Sequence, residues 1–215
     1  TARTNRLVVK ELELDPTADL WLVLDMDRNV HVRAPWQPIV EDDGPAILRR
    51  ESRRDMHLIP TTEEYAVSIA ASLARHYLMR NRSVGLVTLA RHRELVQADR
   101  GERQLTKILE TLAVIEASGN IPFHQVITAE GQTMSRHTTV IVITSSPDTL
   151  WVAALRELQR RGVYSVAVVV DGLSFGPTVP IEPVLNELLA SGIVSYRVGR
   201  DEPLEHALGI PSHLR

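Results

Sequence analysis

The stretch LVLDMDRNV, residues 22–30, places two carboxylates at the end of an apolar run. The full run DLWLVLDM, residues 19–26, is almost continuously apolar, which is typical of a central strand covered on both faces. Asp25 and Asp27 end this run with one residue between them. Such a pair can hold a divalent cation, or one carboxylate can attack a phosphate while the other transfers the proton. The same short stretch is therefore the predicted centre of the fold and the first candidate site.

Further apolar runs predict more strands, and amphipathic stretches between them predict helices. The predicted strands are 6–14, 83–91, 94–99, 138–146, 163–172 and 193–199, and the predicted helices are 61–81, 103–119, 122–130, 146–162 and 180–192. Strands that alternate with helices favour a mostly parallel sheet with helices on both faces. We expect a single α/β domain over residues 1–215 with a six-stranded sheet, and we interpret residues 31–60, which contain four prolines, as an insertion.

The composition excludes several classes of function. A formal net charge of −3 gives no basic excess for nucleic acid, so no nucleic-acid partner is expected. The chain has no cysteine, which excludes disulfides, thiolate metal sites and a cysteine nucleophile. Lys10 and Lys107 are the only lysines, and every other basic residue among the 24 is arginine.

The chain contains no apolar run of the roughly 18 residues that a membrane span needs. This fragment therefore requires no membrane contact of its own. The chain opens with TARTNRL rather than with Met, which resembles the middle of a sequence. We expect it to be an excised piece of a longer protein.

One interpretation of the carboxylate pair is the active site of a Mg²⁺-dependent phosphatase. LVLDMDRNV resembles the first motif of the haloacid dehalogenase family, in which Asp25 would be the nucleophile and Asp27 the general acid and base. That chemistry needs a lysine after the second motif strand, and Lys107 lies before it. Asp171 offers one acid for Mg²⁺, but the usual second acid is absent nearby. The phosphatase stays as the alternative function.

A second reading is a serine hydrolase, because GLSFG, residues 172–176, matches the GxSxG pattern after a strand. The motif works only where the serine lies on a tight turn that leads directly into a helix. Here PTVP follows, and the residues that could act as partners, Asp201 and His206, come in the wrong chain order. An ordinary glycine-rich loop is the favoured interpretation.

A third reading is a von Willebrand factor A-like domain, which binds a cation at the end of its first strand. Asp25, Asp27 and Asn29 occupy the DxSxS positions of such domains and offer oxygen ligands to a hard cation such as Mg²⁺ or Ca²⁺. The other ligand positions differ, because Arg103 stands where a Thr is usual and Ser145 where an Asp is usual. We hypothesise that the metal site of Asp25, Asp27, Asn29 and Ser145 is degenerate. Arg103 or a neighbouring arginine would replace the cation, and no cofactor is expected.

Several stretches together resemble one family, the domain of unknown function family fifty-eight, whose members accompany MoxR-type AAA ATPases. The resemblance is carried by residues 1–13, 64–78, 84–86, 100–113, 140–155 and 171–176, that is by TARTNRLVVKELE, EYAVSIAASLARHYL, VGL, RGERQLTKILETLA, VIVITSSPDTLWVAAL and DGLSFG. The resemblance covers most of the chain and corresponds to the C-terminal part of such proteins. Residues 31–60 depart from it, since a shorter link is expected there.

The resemblance implies a von Willebrand factor A-like fold with an incomplete cation site, in the cytoplasmic domain of a membrane-anchored protein. It also implies a non-enzymatic role as an adaptor that works with a MoxR-type AAA ATPase in protein or complex maturation. The family supplies no catalytic residues to transfer. We therefore expect a protein-interaction module without catalysis.

Overall fold

A central sheet of six strands organises the chain. The structure is a computed structural model that describes residues 18–35 and 59–214. The strands are β1 (Leu20–Leu24), β2 (Val84–Leu89), β3 (Arg93–Asp99), β4 (Thr139–Thr144), β5 (Tyr164–Val170) and β6 (Val194–Val198). The helices are α1 (Thr62–Leu78), α2 (Glu102–Val114), α3 (Phe123–Gly131), α4 (Leu150–Arg160), α5 (Glu182–Ala190) and α6 (Leu204–Ala207), with short 3₁₀ helices at Gly172–Ser174 and Ser212–Leu214.

The strand order is β3-β2-β1-β4-β5-β6, and every neighbouring pair is parallel except β2 and β3. β1 lies in the middle, where Leu22 stands between Leu86 of β2 and Ile141 of β4. The predicted α/β class and the mostly parallel sheet are confirmed. The predicted strand 6–14 and residues 36–58 of the predicted insertion lie outside the described residues.

The two faces of the sheet are covered by two separate apolar layers, as the uninterrupted apolar strands predict. On one face α1 and α2 pack through Ile69 and Ile108 against Leu22 and its neighbours. On the other face α3, α4 and α5 pack through residues such as Trp151 and Leu188. β1 contributes Leu20, Leu22 and Leu24 to the first layer and Val23 to the second. Successive side chains of a strand point to opposite faces of the sheet, so a strand that is buried on both faces contributes to both apolar layers.

The helix ends agree in part with the ends predicted from the sequence. Thr61 caps α1, because its hydroxyl accepts a hydrogen bond from the backbone N–H of Glu64 at 3.1 Å. Gly162 lies just after α4 with a φ of 85°, a conformation that favours glycine at a helix end. The start of α4 differs from the prediction, because the helix begins at Leu150 rather than at residue 146. The side chains of Ser146 and Asp148 instead accept hydrogen bonds within the preceding turn.

The parallel arrangement fixes where a site can form. Five strands end at one edge of the sheet, called here the carboxyl edge. The loops that follow those strands meet at this edge, as in other open α/β sheets. The start of α1 also lies here, because the backbone N–H of Thr62 donates to the carbonyl of Val32 at 2.9 Å. Among the described residues, no helix is both long and apolar enough to cross a membrane.

Candidate functional site

Asp25 directly follows β1 and is almost fully buried, with 2% of its surface exposed. Its Oδ2 accepts a hydrogen bond from the hydroxyl of Thr144 at 2.6 Å, and its Oδ1 accepts one from the backbone N–H of Asp27 at 3.1 Å. Thr144 ends the neighbouring strand β4, so the parallel register brings these two side chains together. The carboxylate therefore joins the ends of the two central strands.

Burial raises the pKa of the Asp25 carboxyl from its ordinary value of 3.8 to about 7. Removal of the charged form from water is the largest cause. The hydrogen bonds from Thr144 and from the backbone of Asp27 oppose the rise, and the charge of Asp27 adds to it. A buried carboxyl of this kind holds its proton close to neutral pH.

Asp27 organises the loop that leaves β1. Its Oδ1 accepts hydrogen bonds from the backbone N–H of Asn29 at 3.0 Å and from the Asn29 side-chain amide at 2.7 Å. The loop is held from the other side by Gly119, whose N–H donates to the carbonyl of Met26 at 2.9 Å. A Cβ on Gly119 would lie only 2.6 Å from the carbonyl oxygen of Leu89 and 2.8 Å from that of Met26, so only glycine fits this contact.

The predicted residue Ser145 lies next to Thr144 and reaches the same loop. Its hydroxyl donates a hydrogen bond to the carbonyl of Val30 at 2.8 Å. The structure thus brings Asp25, Asp27, Asn29 and Ser145 together on two adjacent strand ends. The sequence analysis proposed these four residues as one degenerate metal site, and that role stays a prediction.

Arg103 is not brought to these carboxylates. β3 runs antiparallel to β2 and ends with Asp99 opposite Val84, the first residue of β2. α2 therefore begins at the amino edge of the sheet, where Gln104 donates a hydrogen bond to the carbonyl of Val84 at 2.7 Å. Arg103 is exposed there. Across the described ranges, no ion pair or hydrogen bond joins Arg103 to Asp25 or Asp27.

An arginine does neutralise a different carboxylate of this edge. Asp171, which follows β5, is buried, and its Oδ2 accepts hydrogen bonds from Nε and Nη2 of Arg197 on β6. Its Oδ1 accepts one from the backbone N–H of Leu173, which caps the short 3₁₀ helix. Both oxygens of Asp171 therefore accept hydrogen bonds within the fold, which leaves this carboxylate poorly placed to bind Mg²⁺.

Ser174 of the GLSFG stretch holds a loop together. Its hydroxyl donates to the carbonyl of Asp171 at 2.6 Å and accepts from the backbone N–H of Arg200 at 2.8 Å. Ser174 is the last residue of the 3₁₀ helix Gly172–Ser174, which is only three residues long. This local structure agrees with the glycine-rich loop that the sequence favoured over a nucleophile.

His31 and Thr62 are two residues of the site that the sequence did not identify. The Nε2–H of His31 donates to the backbone carbonyl of Asp25 and its Nδ1 accepts from the hydroxyl of Thr62, both at 3.1 Å, in the tautomer that satisfies both contacts. Thr62 also accepts from the backbone N–H of Val32 at 2.9 Å. Burial lowers the pKa of His31, which favours the neutral ring that this arrangement needs.

The group does not fit a tightly bound divalent cation. Within residues 18–35 and 59–214, no group of three or more histidine, aspartate or glutamate side chains could hold a metal ion. Both oxygens of Asp25 already accept hydrogen bonds, and the Ser145 hydroxyl donates to Val30. Mg²⁺ and Ca²⁺ favour several oxygen ligands with negative charge, and only Asp27 offers an uncommitted carboxylate oxygen here.

No protein-family profile matches the sequence, and neither does any curated protein. Solved structures do match the fold. BatB, a conserved hypothetical protein from Bacteroides thetaiotaomicron, is 13% identical with a TM-score of 0.58, over 89% of this chain and 95% of that one. An aerotolerance-related membrane protein from Bacteroides fragilis NCTC 9343 is 13% identical with a TM-score of 0.55, over 85% and 92% of the two chains.

The pilus adhesin SpaC from Lactobacillus rhamnosus GG, in its open conformation, is 9% identical with a TM-score of 0.50, over 81% of this chain and 26% of that one. With the strand order described above, these matches define the class of the chain, a von Willebrand factor A-like α/β domain. At identities of 9% to 13% the likeness shows the fold alone.

The raised pKa of Asp25 predicts a pH-dependent stability. Between the unfolded value of 3.8 and the folded value of about 7, the folded state holds one more proton than the unfolded state. The free energy of unfolding therefore falls as the pH rises through this window, by up to about 4 kcal/mol from this group. Asp25→Asn should remove this contribution, so that urea unfolding shows a weaker fall with pH. Asp148→Asn, an exposed control at the same edge, should keep the wild-type slope, and equal slopes in all three proteins would contradict the prediction.

The degenerate ligand set predicts weak metal binding. Isothermal titration with Mg²⁺ and with Mn²⁺ at pH 7.5 should show no site of micromolar affinity, because the ligand set lacks a third acid. Asp27→Asn should give the same flat titration. A micromolar site that this substitution abolishes would show that the ligands rearrange around a cation.

Proposed function

We propose that this chain is a non-enzymatic protein-interaction domain that binds its partner through the carboxyl edge. The observation that carries the proposal is a set of exposed apolar side chains on the loops of this edge, called here the apolar collar. Its members, with exposed fractions of 37%, 56%, 42% and 58%, are Ile121, Leu150, Leu173 and Val179. They lie within or directly after the segments that follow α2, β4 and β5, which end at this edge.

The fold places these side chains at the same edge of the sheet as the carboxylates. Ile121 lies two residues after Gly119, which pairs with Asp27 in an isolated parallel bridge. Leu150 begins α4 directly after the β4 loop that contains Ser145. Leu173 and Val179 belong to the loop after β5. Apolar side chains grouped on one edge of a domain are typical of contact surfaces with other proteins.

The chemistry of the site supports a binding role over catalysis. A phosphatase of the haloacid dehalogenase type would need Asp25 as an ionised, accessible nucleophile. In the structure Asp25 is buried, both of its oxygens accept hydrogen bonds, and its pKa is raised to about 7. Asp171, the acid that the sequence offers for Mg²⁺ in that mechanism, pairs with Arg197.

We propose a MoxR-type AAA ATPase as the partner and a membrane-anchored protein as the parent of this domain. The sequence resemblance to domain of unknown function family fifty-eight supports the ATPase partner. The fold likeness to a protein described as an aerotolerance-related membrane protein supports the anchored parent. In this arrangement the domain acts as a cytoplasmic adaptor in protein or complex maturation.

Substitution of the apolar collar tests the binding surface. Leu150→Ser combined with Leu173→Ser should weaken binding to the purified MoxR-type ATPase of the same organism by about tenfold or more, measured by biolayer interferometry. Met79→Ser with Leu189→Ser is the matched control, because both residues are similarly exposed and lie at the helix ends on the amino edge. Equal loss in both double variants would exclude the carboxyl edge, and no binding by the wild-type chain would exclude this partner.

A hydrolysis assay separates the adaptor from the phosphatase. The wild-type chain should not hydrolyse p-nitrophenyl phosphate in the presence of Mg²⁺ above the background of the buffer. Asp25→Asn should therefore leave the measured rate unchanged. A Mg²⁺-dependent rate in the wild-type chain that this substitution abolishes would support the phosphatase instead.

A further inference from the structure

β3 forms one edge of the sheet, and its outer side is open. Within the described residues it pairs with β2 alone. All seven of its residues are exposed or half-buried, whereas β4 is buried along its whole length. Leu95 and Val96 place apolar side chains in the middle of this edge, and each contacts one of the two apolar layers. An open strand edge with apolar side chains is a template for another strand, and proteins commonly cover it.

A groove of about 530 Å³ runs beside this edge, between β3 and α2. The strand contributes residues 95–99 to the groove, and α2 contributes Gln104, Lys107, Glu110 and Thr111. Lys107 is exposed and forms no ion pair with any residue that the structure describes. An extended segment that pairs its backbone with β3 and turns a carboxylate toward α2 suits this groove.

The segment RLVVKELEL, residues 6–14, has the pattern that such a groove requires. The sequence predicts it as a strand, and it lies outside the described residues. Side chains of a strand alternate between two faces, so Glu11 and Glu13 share one face while Leu12 and Leu14 share the other. The acidic face complements the charge of Lys107.

The start of β1 limits which edge of the sheet this segment can reach. Nη2 of Arg82, two residues before β2, donates a hydrogen bond to the carbonyl of Ala18 at 3.3 Å, so the chain before β1 is held on the β2 side. From Leu14 to Ala18 the chain spans at most about 14 Å. A strand added beside β3 would lie three strand spacings, about 14 Å, from β1, and one added beside β6 would lie four spacings, about 19 Å, away. The β3 edge is therefore within reach, and the β6 edge is not.

We infer that residues 6–14 bind in this groove as a seventh strand beside β3, with Glu11 and Glu13 facing Lys107. The segment ends at the amino edge, where β1 begins, and β3 also ends there, so the added strand runs parallel to β3. This inference is independent of the proposed binding role of the carboxyl edge. Its consequence is that the chain covers its own open strand edge, which blocks sheet pairing with other molecules at this place.

Hydrogen exchange of the whole chain, followed by mass spectrometry, tests this inference at the amides of residues 93–99. Val9→Pro removes an N–H in the middle of the segment and disfavours strand pairing, so these amides should exchange about tenfold faster than in the wild type. Thr4→Pro is the matched control, because it lies outside the segment, and it should keep the wild-type rate. The amides of β4 should exchange at the same rate in all three proteins, which separates release of the edge from unfolding.

A charge exchange tests how the segment faces α2. Glu11→Lys combined with Glu13→Lys places two positive charges beside Lys107, so residues 93–99 should exchange about threefold faster than in the wild type. Addition of Lys107→Glu should restore the slow exchange, because opposite charges then face each other again.

The inference is overturned if residues 93–99 exchange equally fast in the wild type and in Val9→Pro, or if the triple charge variant stays as fast as the double variant. Protection of β3 that rises with protein concentration would also overturn it, because a second copy would then cover the edge. Protection that survives Val9→Pro at every concentration would assign the edge to another segment, such as residues 36–58. None of these results depends on ATPase binding, so the proposed function stands or fails separately.

Discussion

The hydrogen bond from the Thr144 hydroxyl to Oδ2 of Asp25 joins the two central strands where they leave the core. β1 is buried on both faces, so its end cannot carry a free charge without a large desolvation cost. The Thr144 hydroxyl donates a hydrogen bond to one carboxylate oxygen of Asp25, and the backbone N–H of Asp27 donates one to the other. The loop after β1 must turn tightly to provide that N–H, and this turn places Asp27 and Asn29 at the edge.

The fold was predictable because its strands are buried on both faces. Continuous apolar runs such as DLWLVLDM and VIVITS need cover on both sides, which implies a parallel sheet between helices. The same logic predicted that Asp25 and Ser145 lie together, since parallel strands end at one edge. These inferences needed only the order and polarity of the elements, and they are confirmed by the sheet order.

The position of Arg103 could not be predicted in the same way. It depends on β3 being antiparallel to β2, which sends the start of α2 to the amino edge. A motif alignment along the chain carries no information about strand direction. His31 and Thr62 were missed for a related reason, because they are 31 residues apart in sequence and meet only after the loop has packed against α1. Contacts of this kind belong to tertiary structure, and a single sequence contains no local signal for them.

The carboxylates at the carboxyl edge are stabilised in two different ways. Asp171 is neutralised within the fold by Arg197, so the side of the edge near β5 and β6 is structurally complete. Asp25 is satisfied by hydrogen bonds from Thr144 and from the backbone of Asp27, and Asp27 accepts two hydrogen bonds from Asn29. The β1 side of the edge therefore has carboxylates that no arginine of the described residues neutralises. Ile121 and Leu150 are exposed at the same edge, so a partner that binds there can bury apolar area.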